Sequence, residues 1–102
     1  MLRPLTIVEG STLSALQKKD LLNRLARVEG QLRGVQRLIA LADLPADIEA
    51  TAQQMAAARK ALDRAFVHLL SGAIITQSAN ASDMAQAQAS AAQLAALLEK
   101  YA

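Results

Sequence analysis

The chain has 102 residues, of which 11 are Lys or Arg and 9 are Asp or Glu, so its formal net charge is +2. Hydrophobic residues make up 53% of it and aromatic ones only 2%, whereas 23 residues are Ala, which favours helices over strands. The absence of Cys excludes a disulfide scaffold, a thiolate metal site and a Cys nucleophile. The high Ala content predicts an all-α domain. Neither a signal peptide nor a membrane span is recognisable, so we expect this domain in the cytoplasm.

The first predicted helix carries the clearest periodic pattern in the chain. It spans about residues 13–42, within a domain of residues 12–102 that follows an N-terminal extension, residues 1–11, which we expect to be flexible. Three hydroxyl residues are suitable N-caps for this helix: Ser11, Thr12 and Ser14. Its apolar residues recur at alternating steps of four and three, which is a heptad seam: Leu21, Leu25, Val28, Leu32, Val35, Ile39 and Ala42.

The second predicted helix spans about residues 45–77. Pro45 suits its first position, and Asp47 and Glu49 place carboxylates near its start, where the helix dipole favours negative charge. Residues 65–75 are apolar nearly all round the helix. Such a segment has to be covered on several sides.

A polar connector at residues 78–82 leads into the third predicted helix, which spans about residues 82–101. Ser82 or Asn80 is expected to cap it. Its apolar residues again recur every three or four positions. Three helices account for nearly the whole chain, so the predicted fold class is all-α.

The lengths of the first two helices predict an oligomer. A helix of about 28 residues is about 42 Å long, whereas a compact chain of this size has a radius of gyration of about 13 Å. One copy of the chain also cannot cover the apolar segment at residues 65–75. We therefore expect the first two helices of two chains to form an antiparallel four-helix bundle.

Basic residues are concentrated on the first helix. Residues 18–37 contain six basic and two acidic residues, so this stretch has a net charge of +4. The basic residues are Lys18, Lys19, Arg24, Arg27, Arg33 and Arg37. Several lie on the side opposite the heptad seam, and the second helix adds Lys60, Arg64 and His68 at intervals of four. Guanidinium groups bind two phosphate oxygens at once, which favours nucleic acid, although a charged face of this kind is also typical of simple solvation.

Gly30 and Gly34 lie one turn apart in the same helix. Each costs about 1 kcal/mol of helix propensity relative to Ala, which indicates that something requires the missing side chain. The interpretation we favour is close packing of a neighbouring helix. Close approach of a phosphate backbone is the alternative.

Two blocks of sequence resemble a known family. They are Leu-Asn-Arg-Leu-Ala-Arg-Val-Glu-Gly-Gln-Leu-Arg-Gly-Val-Gln-Arg-Leu-Ile at residues 22–39 and Ala-Arg-Lys-Ala-Leu-Asp-Arg at residues 58–64. They resemble the CsoR/RcnR/FrmR family of bacterial metal- and formaldehyde-responsive repressors, over roughly residues 15–102. The resemblance implies a tetramer, a dimer of antiparallel four-helix bundles, that binds operator DNA through cationic helix faces. It places DNA-contacting residues at Arg24 and Arg64, which we expect to lie off the apolar seam.

The effector chemistry of that family has no counterpart here. The resemblance places Ala73 and Gln77 where members carry metal ligands, and no Cys is present to bind copper or to react with formaldehyde. A thiolate-bound metal is therefore excluded, and no cofactor is expected. A metal site built from other residues is less favoured, since acidic residues at a helix start usually interact with the helix dipole. The four residues of this less favoured site are Asp43, Asp47, Glu49 and His68.

Together these patterns predict a DNA-binding transcriptional repressor, a homotetramer on double-stranded operator DNA whose effector is unknown. An enzyme is not expected, because the chain has one His, no Cys and no Gly-rich phosphate loop. The competing hypothesis is a helical oligomeric adaptor or scaffolding protein whose cationic face only keeps it in solution. His68 is expected to be a half-buried polar residue, with phosphate contact as the second interpretation.

Overall fold

A computed structural model describes residues 5–101, and three helices occupy most of them. They are α1 (Ala15–Leu41, 27 residues), α2 (Pro45–Asn80, 36 residues) and α3 (Met84–Tyr101, 18 residues). No strand occurs among the described residues, so the prediction of an all-α fold with three helices is confirmed. α2 continues to Asn80, beyond its predicted end at residue 77. No stretch of the described helices combines the length and the hydrophobicity that a membrane span requires.

The chain divides into two compact units, to which α1 and α2 both contribute. The hairpin unit consists of residues 21–66. The terminal unit combines, among the described residues, 5–20 with 67–101. The predicted extension at residues 1–11 lies partly outside the described residues, and the domain boundary at residue 12 stays a prediction.

A reciprocal pair of hydrogen bonds closes the start of α1. The amide of Gln17 donates to Ser14 Oγ (3.1 Å), and the amide of Ser14 donates to Gln17 Oε1 (2.8 Å). This is a capping box, in which each side chain satisfies an amide that the helix itself leaves unbonded. Of the three hydroxyl residues that the sequence offers as caps, Ser14 is therefore the one that caps α1.

The start of α2 depends on the carboxylate of Asp47. One of its oxygens accepts hydrogen bonds from the amides of Leu44 (2.8 Å) and Asp43 (3.0 Å). These two bonds stabilise the ionised form, so they lower the pKa of Asp47 below its usual value of 3.8. Pro45, the first residue of the helix, has no amide hydrogen to satisfy, as the sequence predicts.

Asp83 caps α3, in place of the predicted Ser82 or Asn80. Its Oδ1 accepts a hydrogen bond from the amide of Gln86 (2.8 Å), while Gln86 Oε1 accepts from the amide (2.6 Å) and the hydroxyl (2.7 Å) of Ser82. The difference arises because Asn80 still belongs to α2 and α3 begins at Met84. Asp83 is then the residue next to the first helical position.

Small residues form the buried row of the hairpin unit: Val28 and Val35 on α1, and Thr51, Ala58 and Ala65 on α2. On each helix they repeat every seven residues. α1 and α2 run antiparallel here, because the connector between them is only three residues long. The heptad pattern of the sequence therefore does describe the contact between these two helices, but only through its smaller members.

Large apolar residues of the hairpin unit remain outside this buried row, with 38–63% of their surface exposed: Leu25, Leu32 and Ile39 on α1, and Ile48, Met55 and Leu62 on α2. Each lies three residues before or four after a buried residue. Because this offset is the same on two antiparallel helices, both sets lie on one side of the hairpin. We call these six residues the exposed apolar seam.

Gln17 joins the start of α1 to α2 within the terminal unit. Its Nε2 donates to the carbonyl oxygen of Gly72 (3.2 Å), and its Oε1 accepts from Thr76 Oγ1 (2.6 Å). A Cβ on Gly72 would lie 3.4 Å from Leu13 Cδ2, so the two segments approach closely at this glycine. Three apolar side chains are buried in this unit: Leu70, Ala73 and Leu94.

We expect Asp47→Asn to lower the thermal unfolding midpoint at pH 7 by a few degrees, because a neutral amide accepts weaker hydrogen bonds than a carboxylate. The folded-state pKa of Asp47 is lowered from 3.8, so its stabilisation is present above that pH and is lost as the pH falls through the folded-state pKa. The difference between variant and wild type, followed by circular dichroism, should therefore disappear in acid. Glu49→Gln is the control. A difference independent of pH would contradict this role for Asp47.

Candidate nucleic-acid interface

Basic residues from both helices lie on the side of the hairpin unit opposite the exposed apolar seam. At about 100° per residue, two basic residues of the hairpin unit on each helix fall within about 40° of the direction opposite the seam. These are Arg27 and Arg37 on α1, and Lys60 and Arg64 on α2, and all four side chains are exposed. We call them the cationic face.

The other predicted basic residues are in different surroundings. Arg33 is exposed on the flank of α1. Arg24, four residues before the buried Val28, is half-buried and lies outside the exposed apolar seam. In the terminal unit, Lys19 is exposed, whereas Lys18 is half-buried and its ammonium donates to the backbone carbonyl of Val8.

Gly30 and Gly34 border the cationic face, and no helix of the same chain packs against them. A Cβ on Gly34 would meet nothing within 4 Å, and one on Gly30 would meet only the end of the Arg33 side chain at 3.9 Å. Neither glycine has a positive φ. Between them, Gln31 has a buried Oε1 without a hydrogen-bond partner in the described part of the chain. This edge of the hairpin unit therefore combines open space with an unsatisfied acceptor.

Comparison with known protein families supplies a match that spans nearly the whole chain. A family model described as metal-sensitive transcriptional repressor matches residues 17–100. The chain belongs to this family. No significant similarity was found to a curated protein or to a solved structure. The match includes every residue of the cationic face, and it confirms the family that the sequence motifs at residues 22–39 indicate.

In this metal-sensitive repressor family member, the positions that the resemblance assigns to metal ligands carry no thiolate or imidazole. The chain has no Cys, and Ala73 and Gln77, at the positions the resemblance assigns to ligands, are a buried apolar residue and a half-buried carboxamide. Neither offers the thiolate or imidazole donors that soft and borderline metals select.

The four residues of the less favoured metal site have other surroundings. The carboxylate of Asp47 is bonded to two backbone amides. Asp43, Glu49 and His68 are exposed, so the expectation of a half-buried His68 is wrong. Within residues 5–101 of one chain, no three His, Asp or Glu side chains are grouped so that they can hold a metal ion.

The sequence did not identify the contacts of Gln17 with Gly72 and Thr76, which join residues 55 and 59 positions apart. The one available signal was Gly72 itself, a glycine inside a helix that is otherwise rich in Ala. In this repressor-family chain, Gly72 marks the close approach of α2 to the segment around Leu13 and Gln17, whereas no such segment of the described chain lies beside Gly30 and Gly34.

We expect Gly34→Ala to stabilise the protein by about 1 kcal/mol, because Ala has the higher helix propensity and its methyl group meets open space. The free energy of unfolding is to be measured by chemical denaturation. Gly72→Ala is the comparison, and it should gain less, since its methyl group would contact Leu13 and Gln17. A clear loss of stability in Gly34→Ala would contradict the open space seen at this position.

Proposed function

We propose that the protein is a DNA-binding transcriptional repressor of the CsoR/RcnR/FrmR type, which holds double-stranded operator DNA against its cationic face in the cytoplasm. The observation that carries this proposal is the placement of Arg27, Arg37, Lys60 and Arg64, all exposed, opposite the exposed apolar seam. One side of the hairpin unit is thereby suited to a protein partner and the other to phosphates. Phosphate contacts from two helices fix the orientation of a duplex.

A second copy of the chain is the proposed partner of the exposed apolar seam. The seam repeats every seven residues on two antiparallel helices, which is the pattern of a four-helix bundle with half of its helices missing. Completing the burial of each half-exposed Leu, Ile or Met contributes about 1 kcal/mol. Six such residues per chain therefore supply a substantial driving force for an antiparallel dimer.

Two of these dimers form the proposed homotetramer. The terminal unit still exposes apolar side chains of α3 that a further contact between copies would cover: Leu97, Leu98 and Tyr101. The tetramer carries one cationic face of four residues on each copy, so it neutralises many phosphates at once. This gives strong binding from individually weak contacts.

The proposed effector is not a thiolate-bound metal. Thiolate binding requires Cys, which the chain lacks, and the carboxylate of Asp47 accepts hydrogen bonds at the start of α2. The effector must differ in its interaction with the DNA-bound and free forms of the repressor, since a ligand of equal affinity for both shifts nothing.

The first prediction of the proposed function concerns the exposed apolar seam. Leu32→Glu should dissociate the assembly, because a carboxylate buried without a partner is costly. Sedimentation at micromolar concentration should give a tetramer for the wild type and a smaller species for the variant. Ala26→Glu, an exposed position of α1 outside the seam, is the matched control and should stay tetrameric. A folded monomer in the wild type would remove the basis of the assembly.

The second prediction concerns the cationic face. Arg64→Ala should weaken binding to genomic DNA fragments about fivefold or more, since removing each phosphate interaction costs about 1 kcal/mol and every copy is changed. The plot of log affinity against log salt should become flatter by about 0.9 for each phosphate that the variant no longer neutralises. Fluorescence anisotropy measures both quantities.

Arg59→Ala makes the same change of charge at another exposed position of α2, four residues after Met55 of the seam, and serves as the control. It should leave the affinity and the salt dependence nearly unchanged. Equal effects of Arg59→Ala and Arg64→Ala would contradict a specific cationic face. If the wild type binds no DNA at about 50 mM salt, the adaptor hypothesis replaces the repressor.

The third prediction is that metals do not control DNA binding. Micromolar copper, nickel, zinc or cobalt should change the affinity for DNA by less than about twofold, because no donor set distinguishes the two forms. Release of DNA by one of these metals, together with loss of that response in His68→Ala or Asp47→Ala, would instead support the rebuilt metal site.

A further inference from the structure

A cavity of about 210 Å³ opens in the terminal unit, where three segments of the chain meet. These segments are the residues before α1, the last turns of α2 and the first two turns of α3. Each contributes two polar residues to the wall: Ser11 and Thr12, Gln77 and Asn80, Gln86 and Ser90. The cavity is smaller than the pockets of about 300–1,000 Å³ that are usual for drug-sized ligands. Its volume suits a molecule no larger than a monosaccharide.

Every polar side chain in the wall of this cavity is uncharged. Hydroxyl and carboxamide groups both donate and accept hydrogen bonds, so the wall is suited to a ligand that does the same. An ionic ligand would find no opposite charge in the wall, and an apolar ligand would displace water from Gln77 and Ser90 without replacing its hydrogen bonds. The chemistry of the wall therefore selects small neutral molecules with several polar groups.

Some of these polar groups hold the wall together and others are available. Asn80 Nδ2 donates to the carbonyl oxygen of Ser11 (3.3 Å), and Gln86 Oε1 accepts both hydrogen bonds from Ser82. In contrast, no hydrogen bond to another described residue engages the side chains of Gln77 or Ser90. These two residues come from α2 and α3, so a single ligand can bridge the two helices.

We propose that this cavity binds a small uncharged molecule rich in hydroxyl or carboxamide groups, and that this molecule is the effector of the repressor. The second part rests on the proposed function, whereas the first does not. A ligand bonded to Gln77 and Ser90 stabilises one arrangement of α2 and α3 in the terminal unit. It alters DNA affinity to the extent that the DNA-bound form has a different arrangement there.

The test uses the full-length protein and defined probes. Glucose, myo-inositol and acetamide are titrated at millimolar concentration, with gluconate as the charged counterpart of glucose, and binding is followed by amide chemical shifts. At least one neutral probe should bind, with the largest shifts around Gln77 and Ser90, and gluconate should bind at least tenfold more weakly. Gln77→Leu and Ser90→Ala should each weaken binding about tenfold, since each removes a ligand hydrogen bond. Gln53→Leu, an exposed position of α2 outside the cavity, should not.

Three results would overturn the binding site: no shift with any neutral probe, equal binding of gluconate, or binding that neither Gln77→Leu nor Ser90→Ala weakens. Circular dichroism of all three variants shows whether they fold like the wild type. DNA affinity is then measured with and without the bound probe. A change of at least threefold supports the effector role, and no change overturns it while leaving the site intact. Failure of the wild type to bind DNA without any probe rejects the proposed function instead.

Discussion

The architecture of the hairpin unit depends on the small size of the residues that α1 and α2 bury between them. The fully buried residues of this unit are Val28 and Val35 on α1 and Thr51, Ala58 and Ala65 on α2, all of them small. Hydrophobic stabilisation scales with the area removed from water. The larger Leu, Ile and Met residues of the seam lie beside this row and keep 38–63% of their surface exposed. A substantial part of their hydrophobic energy is therefore released only when another surface covers the seam.

The basic residues of the cationic face lie away from both the buried row and the seam. With the seam on one side and small residues in the middle, the remaining side of both helices carries the exposed basic residues and the open space at Gly30 and Gly34. Assembly through the seam would leave this side accessible on every copy. Membership of the metal-sensitive repressor family supports the proposal that the cationic face binds DNA, whereas the chain has no Cys that could bind a metal as a thiolate.

The sequence predicts the helices well because their signals are local. The alternating spacing from Leu21 to Ile39 and the helix start at Pro45 both appear in the fold, whereas Ala42 lies just beyond the end of α1. The spacing does not tell which members face the same chain: Val28 is buried and Leu32 is exposed, although both fit one heptad. Contacts between distant residues, such as Asn80 with Ser11, leave no trace in a single sequence, so the cavity beside them was not foreseen.

We propose that one side of the hairpin unit binds a second copy and the other side binds DNA. Because the chain has no Cys, single introduced cysteines test this proposal directly. Leu32→Cys reports on the exposed apolar seam. Ala57→Cys reports on the cationic face, because Ala57 precedes Lys60 by three residues and Arg64 by seven. The rate of maleimide labelling should be low at Leu32→Cys with or without DNA, and high at Ala57→Cys until DNA is added. Fast labelling at Leu32→Cys, or labelling at Ala57→Cys that DNA does not slow, would contradict the account.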